Sequence, residues 1–159
     1  MSSIVLSSGE TCLIDGEDLE RVNRYTWRLE HFNRKSYVRC SISKNGKVTK
    51  ARLHRFILGA KPGDVVDHKN GDTLDNRKSN LRYCTLSESA KNRVKNKTSK
   101  NKYKGVRKEP HCSRWSAFIS IDSKKTYLGI FKTEEDAAKA YNIAAKKNYK
   151  QYAKLNEVI

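Results

Sequence analysis

The chain has 159 residues, enough for one ordinary domain or two small ones with modest cores. Its 34 Lys and Arg residues against 17 Asp and Glu residues give a net charge of +17, which favours a polyanion such as nucleic acid as the partner. No apolar run could span a bilayer and the first residues lack the pattern of a signal peptide, so a cytoplasmic protein with no membrane partner is predicted.

The basic residues are unevenly distributed, which argues against a charge that serves solubility alone. They concentrate in residues 91–109, where Glu109 is the only acidic residue. The four cysteines show no spacing of zinc ligand pairs, so we expect reduced structural thiols and no bound zinc. These cysteines are Cys12, Cys40, Cys84 and Cys112.

The N-terminal region is patterned as short strands separated by turns. Five predicted strands have the sequences SIVL, TCLI, YTWRL, SYVRCSI and KVTKARL. Asn45-Gly46 stands between the last two and predicts a hairpin turn. Short helices are predicted over residues 17–25 and 54–58.

The middle of the chain is rich in Asp, Asn and Gly. The run VVDHKNGDTLDNRKSNLRYCT predicts an apolar strand followed by successive turns. Ser87 is a helix start signal, so a helix is predicted to begin near it and to run into the basic segment. The sequence KNKTSKNK that follows has the composition of a solvated linker.

The C-terminal region predicts a small antiparallel sheet and one helix. Its strand-like runs are KGVRK, RWSAFISI and KTYLGIF. Thr133, followed by three acidic residues, predicts a helix start, and a stripe of alanines with Tyr141 predicts its packing face. Trp115 and Phe131 are expected to lie mostly in the core, because so small a domain needs large buried aromatic residues.

An ordered set of short motifs lies within residues 53–93. These are Asp67-His68 after an apolar pair, then Asn70-Gly71, Leu74-Asp75-Asn76 and Ser79-Asn80-Leu81-Arg82. In order and spacing the segment resembles the HNH homing endonucleases of phages. The resemblance implies an α+β protein with a ββα-metal core, in which two strands and a helix hold one divalent metal over the scissile phosphate.

The resemblance also implies roles for the matching positions. Asp67 would be a ligand of one Mg²⁺ or Mn²⁺ ion, and His68 would be the general base, a task that a near-neutral pKa suits. Asn80 would brace the loop by hydrogen bonds, and His54 would pack against the motif. The alternative for His68 is a surface imidazole with Asp67 as its ion-pair partner.

The sequence departs from the family at the second protein ligand of the metal. Relatives carry Asn or His in the first helical turn, whereas Ser89 stands here, with Asn92 three residues on and so on nearly the same helical face. Either Ser89 or Asn92 completes the site, or metal binding is impaired. The second case gives the alternative function, a non-enzymatic DNA-binding regulator derived from a decayed nuclease.

Residues 103–156 resemble the APETALA-type DNA-binding domain of plant ethylene-response factors. The matching motifs include Gly105-Val106-Arg107 and the run from Tyr127 to Phe131. The family uses the outer face of its sheet in the major groove. Glu109, His111, Phe118 and Ser120 depart from the plant pattern, so the plant target sequence is not expected here.

Together these observations predict a sequence-specific DNA endonuclease of three parts. Residues 1–93 would hold a β-rich extension and the nuclease core, 94–102 a basic linker and 103–159 the second DNA-binding domain. The predicted DNA contacts are Arg82, Arg93, Lys95, Arg107, Arg114, Lys125 and Tyr127. The partner would be double-stranded DNA in the cytoplasm, the host cytoplasm for a phage protein, and the sequence leaves both a monomer and a dimer open. An RNA-binding accessory protein is disfavoured, because no aromatic RNA-stacking motif is present.

Overall fold

The computed structural model describes residues 2–32, 35–93 and 101–158. The chain divides into two compact units, Met1–Ser89 and Ala90–Ile159. Both combine short antiparallel strands with few helices, so the α+β class is confirmed. None of the described helices is long and apolar enough to cross a membrane.

Short strands dominate the first unit. Strands β1 and β2 form a hairpin, β3, β4 and β5 form a sheet in that order, and β6 and β7 form a second hairpin, all antiparallel. The strands are β1 Ser2–Val5, β2 Thr11–Ile14, β3 Arg28–Phe32, β4 Lys35–Lys44, β5 Lys47–Arg52, β6 Val65–His68 and β7 Leu81–Cys84. The helices are α1 Leu19–Val22, α2 Leu53–Leu58 and α3 Leu86–Lys91, the last of which crosses the boundary between the units.

The predicted turn between β4 and β5 is confirmed. Asn45 and Gly46 both have positive φ, 51° and 73°. This pair of left-handed residues is what a two-residue hairpin of type I′ requires, and Asn-Gly accepts it at least cost.

Two N-terminal predictions need correction. Trp27 precedes β3 instead of lying within a strand, and its buried indole N–H donates to the Val22 carbonyl at 2.9 Å. The aromatic side chain of Trp27 therefore serves core packing, and Trp27 is not part of a β-strand. The helix expected over residues 17–25 is a 3-10 turn, Gly16–Asp18, followed by the single turn of α1.

The start of α3 also differs from the prediction. Thr85, not Ser87, caps the helix: its hydroxyl accepts from the Glu88 N–H at 3.1 Å while the Glu88 carboxylate accepts from the Thr85 N–H at 2.7 Å. This reciprocal capping box fixes the start at Leu86. The helix ends at Lys91, the first residue of the basic segment.

The second unit is one helix packed on a three-stranded antiparallel sheet. Strands β8 Val106–Lys108, β9 Trp115–Ile121 and β10 Lys124–Phe131 are arranged with β9 in the centre, and α4 spans Glu134–Tyr149. Thr133 caps α4 as predicted, its hydroxyl accepting from the Asp136 N–H at 3.1 Å. Trp115 and Phe131 are partly buried and pack against the core of this unit.

Candidate active site

The hairpin of β6 and β7 positions Asp67 and His68. Asp67 lies opposite Arg82, and His68 lies opposite Leu81. Since successive residues of a strand point to opposite faces, the carboxylate and the imidazole leave the hairpin on different sides. His68 shares its side with buried Leu81 and is itself only 4% exposed.

Asp67 forms an ion pair with Arg82 across the hairpin. The Nη2 of Arg82 lies 3.0 Å from the Asp67 Oδ2, and the two side chains are 10% and 12% exposed. Arg82, expected at a DNA phosphate, therefore neutralises the predicted metal ligand. A cation at Asp67 would have to share or displace this guanidinium.

His68 is buried and has an asparagine as its neighbour. Its Nε2 lies 3.3 Å from the Asn76 Oδ1. Burial lowers the pKa of His68 below its ordinary value of 6.5, against the opposing effects of Asn76 and nearby carboxylates. The imidazole is therefore neutral at pH 7, and the alternative of a surface histidine is wrong.

Asn76 determines which nitrogen of His68 carries the proton. Its Nδ2 donates to the Thr73 carbonyl at 2.9 Å and to the Cys12 sulfur at 3.2 Å, which turns Oδ1 toward the imidazole. An oxygen can only accept, so the Nε2 of the neutral ring is the donor and Nδ1 keeps its lone pair. Asn76 is 1% exposed. No sequence pattern predicts this role, because an Asn in such a segment is ordinarily a turn former.

His54 packs edge-on against His68. The ring centroids are 5.0 Å apart, with an interplanar angle of 71°. His54 is 3% exposed, and burial, followed by the charge of His68, lowers its pKa to about 3. Two neutral imidazoles are therefore in contact at neutral pH.

Asn80 is the centre of the hydrogen bonds that shape the loop between β6 and β7. Its Nδ2 donates to the Asp75 carbonyl at 2.7 Å and to the Asn70 Oδ1 at 3.0 Å, while its Oδ1 accepts from the Asn70 N–H at 3.1 Å. The Arg77 guanidinium donates twice to Asp75, at 2.7 Å each, and holds the pKa of that buried carboxyl below its usual value. The loop thus has one defined shape beneath His68.

The same loop is attached to β2 by backbone hydrogen bonds. The N–H of Leu13 donates to the Leu74 carbonyl, and the N–H of Asn76 donates to the Leu13 carbonyl, both at 2.8 Å. These bonds hold Asn76 beside Cys12 and so fix its amide against His68. The N-terminal hairpin therefore supports the site.

The remaining predicted metal ligands are less clearly placed. Ser89 lies within α3, and its N–H donates to the Thr85 carbonyl at 3.0 Å. Asn92 directly follows the last residue of that helix and is 6% exposed, and its role as the second ligand stays a prediction. The described residues contain no group of three His, Cys, Asp or Glu side chains that could enclose a metal. One carboxylate suits Mg²⁺ best, which keeps several of its waters and takes substrate phosphates as ligands.

The predicted DNA contacts of the second unit meet on its sheet. The Nζ of Lys125 lies 4.1 Å from the ring centroid of Phe118, and the rings of Phe118 and Tyr127 are 5.4 Å apart. Arg107 lies 5.4 Å from the same Phe118 ring and pairs with Glu109 at 3.2 Å. Phe118, which sequence reasoning treated as a departure from the plant pattern, is the centre of this cluster.

The other predicted contacts are not part of that cluster. Arg114 is exposed just before β9, and the Arg93 carbonyl accepts from the Lys104 Nζ at 2.8 Å. Lys95 and most of the predicted linker lie outside the described residues.

Known proteins resemble both parts of the chain. Residues 53–91 match a family described as HNH endonuclease. An uncharacterized HNH endonuclease of Acanthamoeba polyphaga mimivirus is 35% identical over 115 residues, 69% of this chain and 59% of that protein. A second one from the same virus is 29% identical over 130 residues, 75% of this chain and 39% of that protein. The chain thus spans less than two thirds of the length of either.

A different group of relatives matches a shorter part. An AP2-like ethylene-responsive transcription factor of Arabidopsis thaliana is 49% identical over 47 residues, 28% of this chain and 14% of that protein. Residues 53–91 are thus similar to HNH endonucleases. The second domain of the chain is of the kind found in plant ethylene-responsive factors, as the sequence motifs predicted.

Proposed function

We propose that this protein is a metal-dependent DNA endonuclease of the HNH homing type, with His68 as general base. The observation that carries the proposal is the buried, neutral imidazole of His68, which follows Asp67 in the sequence and is hydrogen-bonded to Asn76, inside the segment that matches the HNH family. A general base must be unprotonated at working pH, and burial of the imidazole favours that state.

The proposed reaction is hydrolysis of a DNA phosphodiester bond. The Nδ1 of His68 takes a proton from a water molecule, the resulting hydroxide attacks phosphorus, and the P–O bond to the 3′ oxygen breaks, with that oxygen taking a proton from solvent. His54 keeps bulk water from one face of the imidazole, and Asn80 keeps the loop in shape. An Mg²⁺ or Mn²⁺ ion held by Asp67, with Ser89 or Asn92 as the second protein ligand, would supply positive charge at the phosphate.

The pairing of β6 with β7, followed by α3, supports a ββα-metal core. We propose residues 1–93 as the nuclease part, 94–102 as the linker and 103–159 as a second DNA-binding domain, whose contacts include Arg107, Lys125 and Tyr127. The net charge of +17 and the plant relatives support duplex DNA as the partner. The viral relatives support action in the host cytoplasm.

The experiment compares His68→Ala with wild type on supercoiled plasmid in Mg²⁺, Mn²⁺ and chelator. Cleavage should fall by at least about 100-fold, because general bases contribute that much, while gel retardation of the plasmid persists. The matched control is His31→Ala, since His31 is exposed and lies outside the HNH segment. Full activity of His68→Ala would remove this mechanism.

One observation favours the second candidate, a non-enzymatic DNA-binding regulator. The Asp67 carboxylate, the predicted metal ligand, is already paired with the Arg82 guanidinium at 3.0 Å. The same experiment separates the two functions. If wild-type protein binds the plasmid but never cuts it with either metal, the regulator is the function.

A further inference from the structure

The sheet of β3, β4 and β5 has two chemically different faces. Leu29, Val38, Cys40 and Ala51 belong to the core of the first unit. Because residues alternate along each strand, their neighbours lie on the other face. That outer face carries Arg28, Glu30, Tyr37, Arg39, Ser41, Lys50 and Arg52.

Three arginines form a row across this outer face. Arg28 lies opposite Arg39, and Arg39 lies opposite Arg52. Like charges in directly opposed positions destabilise a sheet, so this row is costly to the folded protein by itself. Glu30 compensates only part of it, pairing with Arg39 and lying 3.8 Å from the Lys50 Nζ. An external anion would relieve the remaining repulsion.

A basic cleft adjoins the same sheet at its edge strand, β5. The cleft measures about 950 Å³, and no acidic residue is among its described lining. Four cationic side chains line it: Arg39, Lys50, Arg52 and Arg55. Its chemistry matches a chain of phosphates and does not match a cation or an apolar ligand.

A chain of ring contacts connects Arg52 of the arginine row with His68 of the candidate active site. The guanidinium of Arg52 lies 5.0 Å from the ring centroid of Tyr37, whose ring lies 5.6 Å from that of His54. His54 in turn packs against His68 at 5.0 Å. The cationic face therefore begins two ring contacts away from the proposed general base.

We propose that this outer face binds phosphates of duplex DNA next to the phosphodiester bond that is cut. The proposal rests on the proposed function for the position of the cut. Neighbouring strands are about 4.8 Å apart, so the row spans roughly 10 Å, the axial length of about three base steps. The first unit then has a DNA-binding surface of its own, in addition to the one proposed for the second unit.

The test measures the salt dependence of DNA binding by the full chain in chelator, where no cleavage can occur. The probe is a fluorescent duplex of random sequence, and the variants are Lys50→Gln and the double change with Arg52→Gln. Each lost phosphate contact should reduce the slope of log K against log salt by about 0.9, hence by about 1.8 for the double variant. The side chain of Lys50 is 59% exposed, so Lys50→Gln should fold like wild type, which its thermal melt checks.

The matched control is Lys47→Gln. Lys47 is an exposed lysine of the same strand, and by strand alternation it lies on the face opposite to Lys50 and Arg52. This variant should leave the slope unchanged. The proposal is overturned if the slope stays at the wild-type value in the double variant, or if Lys47→Gln reduces it equally, which would indicate net charge alone. Tighter binding of a random RNA duplex through the same residues would also overturn it.

Cleavage is measured separately on plasmid. If the slope changes as expected but no metal supports cutting by wild type, the DNA-binding face stands and the nuclease proposal falls. If wild type cuts plasmid with a metal but the slope does not change in the double variant, the proposed DNA-binding face is wrong and the nuclease proposal stands.

Discussion

The two units of this chain bury different kinds of side chain. The first buries a set of polar side chains in and around the loop between β6 and β7: His54, His68, Asp75, Asn76 and Asn80. The second packs alanines and tyrosines of α4 on a sheet, with its predicted functional side chains on the surface. Buried polar groups stabilise less than apolar ones of the same size, so their presence in the first unit indicates that geometry is maintained there at a cost in stability.

The largest effect is expected from Gly105→Ala, which tests how rigid the second unit is. Gly105 has φ of +75°, and a Cβ there would lie 2.5 Å from the Phe118 carbonyl oxygen and against the Tyr141 ring. The second unit should lose about 3 kcal/mol, measured by amide hydrogen exchange of α4.

Gly46→Ala is the control for that change. Gly46 has nearly the same φ, +73°, but nothing within 4 Å of the added Cβ. Its smaller cost isolates backbone strain from the clash. Equal effects of both substitutions would show that the contact of Gly105 with Tyr141 does not matter.

Asn76→Leu tests what the buried polar side chains of the first unit contribute to its stability. It leaves the Thr73 carbonyl and the His68 Nε2–H without their amide partner, and should cost about 1–3 kcal/mol in urea denaturation. The ¹⁵N shifts of His68 should change from a single tautomer protonated at Nε2 to a mixture. Cys12→Ala is the control, because Thr73 still orients the amide; a wild-type ring protonated at Nδ1 would contradict the assignment.

His54→Phe tests the cost of burying a neutral imidazole. With a folded pKa of about 3 against 6.5 unfolded, the unfolded chain binds a proton below pH 6.5 that the folded chain does not. Stability is therefore unaffected above that pH and falls on acidification, by up to about 1.4 kcal/mol per pH unit.

Phenylalanine keeps the ring contacts of His54 with Tyr37 and His68 but cannot titrate. Urea denaturation between about pH 6 and pH 4 should show a slope smaller by that amount in the variant. Parallel curves for variant and wild type would mean that His54 is protonated in the folded protein.

The smallest effect is expected from Thr133→Ala at the start of α4. It removes the oxygen that accepts from the Asp136 N–H and should cost about 1 kcal/mol of the second unit's stability. Thr133→Ser keeps that oxygen and should be close to wild type in thermal melts. If serine and alanine behave alike, the cap contributes nothing.

Local patterns predicted most of the elements because their causes are local. The Asn45-Gly46 turn, the Thr133 cap and the strand β2 follow from residues within a few positions of one another. The failures have two causes, one tertiary and one local. Trp27 looks like a strand residue but is drawn into the core, and Ser87 is a good cap that loses to the reciprocal bonds of Thr85 and Glu88.

The sequence by itself determined the resemblance to HNH endonucleases, the two-part composition and the choice of Asp67, His68 and Asn80 as candidates, because ordered motifs and charge are properties of the chain. Only the tertiary structure revealed the Arg82 ion pair, the amide of Asn76 that orients His68, and the row of Arg28, Arg39 and Arg52. These depend on strand register and on contacts such as Cys12 with Asn76, 64 residues apart. Such contacts exist only after distant segments have packed together.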